Sequence, residues 1–402
     1  MPSKAESSLK DIDNAQTSRP IEVSVVMPCL NEAETIETCI RKALDFFVRS
    51  QVSGEVVVAD NGSTDGSIEI ALRNGARVVH VEKKGYGNAL MGGFQAAKGK
   101  YLIMGDADDS YDFENLMPFI EKLRAGYDVV MGNRFRGGIK KGAMSWHHKY
   151  IGNPVLTGVL NLFFRTGIGD AHCGLRGLSR EAFNGLRLRT TGMEFASEMV
   201  VKAASQMLRM TEVPTVLSPD GRSRPPHLRS FRDGWRHLRF LVLLAPKWAL
   251  MIPGGLMGLA GLVLMGLLWV GPLRVGHTVL DVHTMLVSSM LVIVGYQAVT
   301  IGFAARIFAL QQEIGPPSRA LRWGFRVLNL ERGLIAGAVA VIAGVALIGY
   351  VVLIWSAHGF GPLDVNRTLR PVLIGGVLIA LGMQTLLMSL FYSMLGLRLR
   401  QD

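Results

Sequence analysis

Four long apolar stretches in the second half of the chain restrict what it can fold into more than any other feature. They run near Trp248–Val270, Met285–Leu310, Leu334–Ser356 and Val372–Leu395. Each approaches or exceeds the roughly 20 residues that carry a helix across about 30 Å of hydrocarbon. Lipid offers no partner for a bare backbone, so such stretches span as helices. Buried helices of a soluble core would not follow one another in a row at this length. The sequence therefore predicts an all-α, four-helix transmembrane domain over 248–402. Before about Ala245 charged and apolar residues mix as in a globular domain, so the mean hydropathy of +0.28 is largely the work of the second half.

Basic residues orient the spans. The link between Gln311 and Arg332 carries Arg319, Arg322 and Arg326, and the C-terminus carries Arg398 and Arg400, whereas Gly271–His283 has only Arg274. This bias places the N-terminal domain and both termini in the cytoplasm, with Arg367 and Arg370 in the link Ala357–Pro371 running against it. The first twenty residues lack the apolar core of a signal peptide and read as a disordered polar tail, 1–20. Cys29, Cys39 and Cys173 are odd in number and lack metal-ligand spacing, which fits a reducing compartment.

Up to position 245 short apolar runs alternate with helix-like stretches. Val23–Pro28, Glu55–Asp60, Arg77–Glu82, Tyr101–Asp106 and Tyr127–Gly132 read as strands, with helical segments at Glu32–Ser50, Ser67–Asn74, Asn88–Ala97 and Phe113–Arg124. Apolar, β-branched runs separated by helices predict an α/β domain with a mostly parallel sheet covered on both faces. In such sheets ligands bind beyond the carboxyl ends of the strands. The loops Pro28–Glu32, Ala59–Ser67, Glu82–Ala89 and Gly105–Asp109 then share one rim.

That rim is acidic in a chain of net charge +11. Asp106, Asp108, Asp109 and Asp112 crowd together after an apolar run, an arrangement that needs a positive partner. Two carboxylates one residue apart can hold a hard divalent ion, and Mg²⁺ or Mn²⁺ takes one or two carboxylates plus substrate phosphate oxygens. The plainer reading is a solvated turn in which Asp109 or Asp112 caps the next helix. Asp60 either satisfies the N–H groups of its own turn or accepts from a nucleotide base or ribose. Glu32 is either an acid favoured by a helix N-terminus or a site residue. Gly85–Ala89 lacks the full dinucleotide fingerprint and no acidic residue follows at the expected distance, which argues against a nicotinamide or flavin cofactor.

In combination these segments resemble a known family. P-x-x-N-E at Pro28–Glu32, D-N-G-S-T-D-G-S at Asp60–Ser67, K-G-x-G-x-A at Lys84–Ala89, D-A-D at Asp106–Asp108 and G-N-R at Gly132–Arg134 occur in the order of family-2 glycosyltransferases with the GT-A fold. The resemblance is closest to polyprenyl-phosphate sugar synthases of the dolichyl-phosphate mannose synthase type, over residues 21–245. It implies that Pro28, Leu30, Glu32 and Asp60 contact base and ribose, with Ala107 at the donor. It implies Asp106 and Asp108 as metal-associated carboxylates, with Ser110 where the family often has a metal-contacting Gln. Arg134 matches a basic residue near the donor and acceptor phosphates. Asp170–Arg180 and Glu194–Ala203 resemble the acceptor-side segment, and Glu198 reads as a structural partner for an arginine. Asp220–Ser230 stands where the family has an Arg and G-x-S-K, so Arg224 replaces the Lys; Arg222 and Arg224 remain able to neutralise phosphate.

The expected reaction moves one sugar from a UDP- or GDP-linked donor to a polyprenyl phosphate, undecaprenyl or dolichyl, with inversion. Charge on the leaving diphosphate falls to the metal and to Arg134, Arg222 and Arg224. The acceptor, largely dianionic at neutral pH, needs no strong base. Arg229, Arg232, Arg236 and Arg239 lie at helical spacing with Phe231, Trp235, Leu238 and Leu241, as on a basic amphipathic helix at a membrane surface. Arg229, Arg232 and Arg236 are the expected lipid-side residues, in a juxtamembrane segment 221–247 that follows a catalytic domain 21–220. Immediate membrane spans argue against nucleic acid. A homo-oligomer is compatible with the sequence, and the compact format suggests a bacterial inner membrane. Rival readings are a processive polysaccharide synthase, against which stand the missing T-E-D and Q-x-x-R-W motifs, and a non-catalytic membrane scaffold with a nucleotide fold.

Overall fold

The computed structural model describes residues 20–224, 230–311 and 330–396. The chain divides into two compact units, Met1–Leu241 and Val242–Asp402. Expectations for the N-terminal tail, Arg229, Arg319, Arg322, Arg326, Arg398 and Arg400 lie outside the described residues.

The first unit is built on a seven-stranded sheet of order β3-β2-β1-β4-β6-β5-β7. Its strands are β1 (Val23–Cys29), β2 (Gly54–Asp60), β3 (Arg77–His80), β4 (Tyr101–Met104), β5 (Val129–Asn133), β6 (Arg176–Ser179) and β7 (Met210–Pro214). The first four are mutually parallel, as are β5 and β7, while β6 runs antiparallel between β4 and β5. Valines at 23, 25, 26, 56, 57 and 58 are fully or almost fully buried, as strands covered on both faces require. The helix α1 (Ile36–Ser50) shows how the covering layer forms. Ile36, Cys39, Ile40, Ala43, Phe46 and Phe47 recur at helical spacing and are all buried. Each large side chain so removed from water contributes about 1.5–3 kcal/mol.

Further helices follow the strands: α2 (Ser67–Arg73), α3 (Tyr86–Ala96), α4 (Met117–Arg124), the short α5 (Arg134–Gly137), α6 (Asn153–Phe164), α7 (Arg180–Leu186), α8 (Phe195–Ser205) and α9 (Ser230–Leu244). Two local differences from the sequence reading matter. Helix α1 starts at Ile36 rather than Glu32, because Asn31 takes a left-handed φ of 59° and the Glu32 carbonyl accepts the N–H groups of Thr35 and Ile36. That frees Glu32 to face the rim. The second difference is β6, an Arg-Gly-Leu-Ser segment with no β-branched residue; its pairing with β4 and β5, not its own propensity, makes it a strand.

The second unit holds α10 (Ile252–Val270), α11 (Val282–Gln311), α12 (Leu330–Ala357) and α13 (Val365–Gly396). Helices over Lys247–Val270, Val282–Leu310, Leu330–Ala357 and Thr368–Leu395 are long and apolar enough to cross a membrane. Between the first two, Leu273–Val275 and Thr278–Leu280 form a small antiparallel hairpin, β8 and β9, where the sequence reading had only a link. Helices α10 and α11 touch backbone to backbone: a Cβ on Gly261 would lie 2.7 Å from the Ser288 carbonyl oxygen. With no water to expel, such close van der Waals contact is what holds helices together in lipid.

Candidate active site

Because β1, β2, β3 and β4 are parallel, the segments after Cys29, Asp60, His80 and Met104 emerge at one edge of the sheet. The start of antiparallel β6 and the ends of β5 and β7 reach that edge too, bringing Arg134, Cys173–Leu175 and Thr215–Leu217 to it.

The Asp-rich loop lies at the centre. Its four carboxylates each have a different partner, which resolves how they coexist. Asp106 Oδ1 accepts from the Tyr86 hydroxyl at 2.9 Å. Asp108 Oδ1 accepts from the Ser110 N–H and hydroxyl at 3.1 and 2.6 Å, and its Oδ2 meets Arg222 Nη2 at 2.9 Å. Asp109 pairs with Lys42 Nζ at 2.6 Å, and Asp112 accepts the Glu114 N–H at 2.9 Å. Thr35 donates to the Ala107 carbonyl at 2.6 Å, pinning the loop to the start of α1. Burial, and then the Asp108 charge beside it, push the Asp106 carboxyl up to about 6.

A strap from Leu217 to Arg224 returns over this loop. The N–H groups of Ser218 and Gly221 donate to the carbonyls of Ser110 and Asp108, both at 2.9 Å. The buried Arg222 guanidinium touches three carboxylates: Glu32 at 3.3 Å, Asp108 at 2.9 Å and Asp220 at 2.9 Å. Arg224 Nη2 meets Glu32 Oε1 at 2.9 Å and donates to the carbonyls of Asn31 and Leu30 at 2.6 and 3.2 Å. The residues expected at the donor side therefore converge: Leu30, Glu32, Ala107, Asp108, Arg222 and Arg224 form one connected network, with Asp106 and Ser110 joined to it through the loop.

The described residues hold no group of three or more His, Cys, Asp or Glu that could hold a metal. The smaller D-A-D set still suits a hard divalent ion. Asp106 Oδ2 accepts no hydrogen bond among the described residues and faces Gly174, where an added Cβ would overlap it. A pair of close, incompletely neutralised carboxylates beside arginines matches a metal that takes its remaining ligands from substrate phosphate and water.

Asp60 adopts the plainer of its two expected roles in part. It accepts the N–H groups of Gly62 and Ser63 at 3.0 and 2.9 Å, and His80 Nδ1 lies 3.4 Å away. Burial works against its charge, but these hydrogen bonds hold its carboxyl below the ordinary range. Pro28 is inside β1, in register with Ala59. Asn61, the second residue of the D-N-G-S motif, bonds the carbonyls of Val81 and Lys83 and the N–H of Gly85, tying the second loop to the third.

Arg134 stands apart from the Arg222 network. Its Nε and Nη2 fork onto Asp170 at 2.7 and 2.8 Å, and its N–H donates to the same carboxylate at 3.0 Å. Arg176, fully buried, donates to the carbonyls of Ala171, Cys173 and Ala196 and so shapes the Asp170–Arg180 segment. Glu198 pairs with Lys202 at 2.9 Å and accepts the N–H groups of Arg189 and Thr190. His172 and His237 meet edge to face with centroids 4.9 Å apart, and His237 Nδ1 lies 2.8 Å from the Ser197 hydroxyl. Burial keeps both rings neutral, driving His237 down to about 4.

On α9 the buried positions are Asp233, His237 and Leu241, one helical turn apart, while Arg232, Arg236 and Trp235 face outward, Trp235 at 62% exposure. Of the apolar residues expected on one face, Leu241 is buried while Trp235 lies outward with the arginines, and the buried face also carries Asp233 and His237. A second outward apolar surface escaped the sequence reading: Trp146, Tyr150, Ile151 and Val155, near Lys149, are each at least half exposed. A pattern of aromatic and aliphatic residues with flanking lysines was its available signal.

Comparison with known proteins agrees with the geometry. Residues 24–187 match glycosyl transferase family 2, and residues 303–396 match the glycosyltransferase family 2 C-terminal transmembrane region. The low-salt glycan biosynthesis hexosyltransferase Agl6 of Haloferax volcanii is 36% identical over 375 residues, covering 93% of this chain and 89% of that protein. A dolichyl-phosphate hexose transferase of the same organism is 30% identical over 195 residues, covering 48% of this chain and 81% of that one. Glucosyl-3-phosphoglycerate synthase of Mycobacterium tuberculosis, solved with Mn²⁺ and UDP, is similar at 22% identity and a TM-score of 0.44, covering 58% of this chain and 81% of its own. The chain belongs to glycosyltransferase family 2, as a membrane protein with a GT-A-like α/β domain followed by apolar helices.

Proposed function

We propose that the protein transfers a single hexose from a UDP- or GDP-linked donor to the phosphate of a polyprenyl phosphate, undecaprenyl or dolichyl, with inversion. The observation that carries this reading is the fold of Arg222 and Arg224 onto Glu32 and Asp108, which gathers cations beside the carboxylates of the Asp-rich loop. A lipid monophosphate as acceptor is supported by the name of the Haloferax dolichyl-phosphate hexose transferase and by the apolar helices of the second unit.

Asp106 and Asp108 would hold Mg²⁺ or Mn²⁺, and Ser110 keeps Asp108 oriented for it. Held there, the ion would supply Lewis-acid stabilisation of the departing diphosphate. Leu30, Glu32 and Asp60 line the donor side, with Pro28 one residue before the end of β1 and Ala107 presenting small bulk to the sugar. Arg222 and Arg224 neutralise charge as the nucleoside diphosphate leaves. Arg134, oriented by Asp170, serves the acceptor phosphate. That phosphate attacks as the dianion, so no side chain has to remove a proton. Arg232 and Arg236 draw the anionic head group to the membrane surface, as does Arg229, and the exposed Trp146 and Tyr150 favour an interfacial setting. The catalytic domain and both termini then lie on the cytoplasmic face.

The test is product analysis. Purified full-length protein with Mg²⁺ or Mn²⁺, short polyprenyl phosphates and a panel of nucleotide sugars is expected to give a glycolipid heavier by one hexose. A ladder of longer products would mean a processive synthase, and binding without product a non-catalytic scaffold.

A further inference from the structure

The second unit carries two cations at one end of a packed helix pair that the transfer reaction does not use. In this unit α10 is preceded by a π-helical turn, Lys247–Met251, and packs antiparallel to α11. An added Cβ on Gly254 would lie 2.6 Å from Ala298 Cβ, and one on Gly302 would lie 2.7 Å from Met251 Cγ. These contacts fix the register. Continued toward the start of the π-helical turn, this packing brings Lys247 and Arg306 to one level, at the end of the helix pair where α10 begins and α11 finishes.

The two residues sit at a depth suited to a lipid head group. Lys247 is the first residue of its span, and Arg306 comes four residues before Leu310, which ends the next one. At 1.5 Å per residue Arg306 lies about 6 Å inside that end, within reach of the interface for an extended guanidinium. Arg306 is half-buried, and Lys247 is exposed. Among the described residues neither makes a hydrogen bond or ion pair; Lys247 only stands 6.0 Å from the Trp248 ring. Ala304, Ile307 and Tyr392 form an apolar cluster with Phe303, Leu310 and Leu395, and among the described residues no carboxylate pairs with Arg306.

Acids elsewhere in the unit are badly placed to do so. Asp281 and Asp364 precede α11 and α13 and lie at the opposite end, where Asp281 pairs with Arg370 at 2.7 Å. Glu331, at the start of α12, forms no ion pair with Arg306 or Lys247. Glu313 lies outside the described residues. An ionisable side chain held within a span is costly and is normally matched by a partner. Two cations at one level of the helix pair, without an ion pair among the described residues, repel one another, and a phosphate that reaches both removes that repulsion.

We propose that Lys247 and Arg306 form a binding site for the phosphate of a membrane lipid, one head group per chain, held in addition to the acceptor consumed in transfer. Arg306 supplies a forked donor and Lys247 a point charge, while the apolar cluster beside Arg306 accommodates the first methylenes of the lipid tail.

Delipidated full-length protein in detergent is titrated with phosphatidylglycerol, a short polyprenyl monophosphate, phosphatidylcholine or inorganic phosphate, and bound species are read by native mass spectrometry. The expected result is one tightly held adduct with phosphatidylglycerol, or one polyprenyl phosphate adduct beyond that bound as transfer acceptor, the preferred lipid identifying the source of the phosphate. Lys247→Gln and Arg306→Gln should each lower that occupancy at least tenfold. Lys247 is exposed, so its replacement reads binding rather than folding. Arg306→Lys should retain more lipid than Arg306→Gln, and Glu313→Gln should leave occupancy unchanged. Equal retention of phosphatidylcholine, an adduct with inorganic phosphate only, unchanged occupancy in the Lys247→Gln protein, or a change on Glu313→Gln would each overturn the assignment.

Discussion

Replacing Arg222 by Ala should turn the acidic rim from a stabilised cluster into a repelling one. The guanidinium lies 2.9–3.3 Å from Glu32, Asp108 and Asp220, with side-chain exposures of 9% for Arg222 and 7% for Glu32. At an effective dielectric of about 20 each contact is worth roughly 5 kcal/mol of gross attraction, most of it cancelled by desolvation and by repulsion among the acids. Removing one partner of such a buried arrangement costs about 3–5 kcal/mol. For a unit of this size that corresponds to roughly 10 °C in melting temperature. A divalent ion bound at the carboxylates should recover much of the loss, about 2.7 kcal/mol at a hundredfold excess over Kd. The assay is thermal unfolding of the full chain in detergent, by intrinsic fluorescence, with EDTA and with saturating Mg²⁺ or Mn²⁺. Arg222→Ala should melt well below wild type in EDTA, and metal should raise its melting point back to near that of wild type in EDTA. Melting within a degree or two of wild type in EDTA, or a variant that metal does not stabilise, would refute the idea that the rim requires a cation.

Other consequences are equally direct. Asp170→Asn should destabilise by about 3–5 kcal/mol, because Arg134 stays buried without its carboxylate, whereas Arg134→Met with Asp170→Leu should regain most of that stability and still abolish transfer, as melting and product assays would show. Gly174→Ala should weaken donor binding at least tenfold by calorimetry while leaving the fold intact, since the new Cβ meets Asp106 Oδ2 and the Tyr111 ring. His237 is neutral when folded, with its value lowered from 6.5 to about 4 mainly by burial; Arg176 adds to that, and Glu194 and Asp233 oppose it. The unfolded chain therefore binds more protons between these values, and stability is full above about pH 6.5 and falls as the pH drops toward 4, by up to about 3 kcal/mol. His237→Gln should flatten that part of the difference in melting temperature between pH 7 and pH 4.5.

The sequence made the parallel half of the sheet legible because β1, β2 and β4 are continuous apolar runs and α1 carries a clean helical stripe. It missed β6 because an Arg-Gly-Leu-Ser segment has no preference of its own and becomes a strand only between two others. Spans were readable from length and apolarity alone, whereas the β8–β9 hairpin between them carries too few residues to stand out. At the site, the motifs marked Glu32, Asp106, Asp108, Arg222 and Arg224. What spacing could not reveal is that Arg222 lies among the carboxylates, since the residues it joins are separated by as many as 190 positions. Tyr86 and Thr35 escaped for the same reason: each acts on the Asp-rich loop from a distant helix, and only the fold brings them there.

The most direct test measures nucleoside diphosphate released and glycolipid formed in the same reaction, for wild type and for Asp108→Asn. Single transfer to a lipid phosphate predicts one nucleoside diphosphate per glycolipid in the wild type, with both falling together by orders of magnitude in the variant. Glycolipid formation undiminished in Asp108→Asn, or diphosphate release with no sugar reaching the lipid, would contradict it.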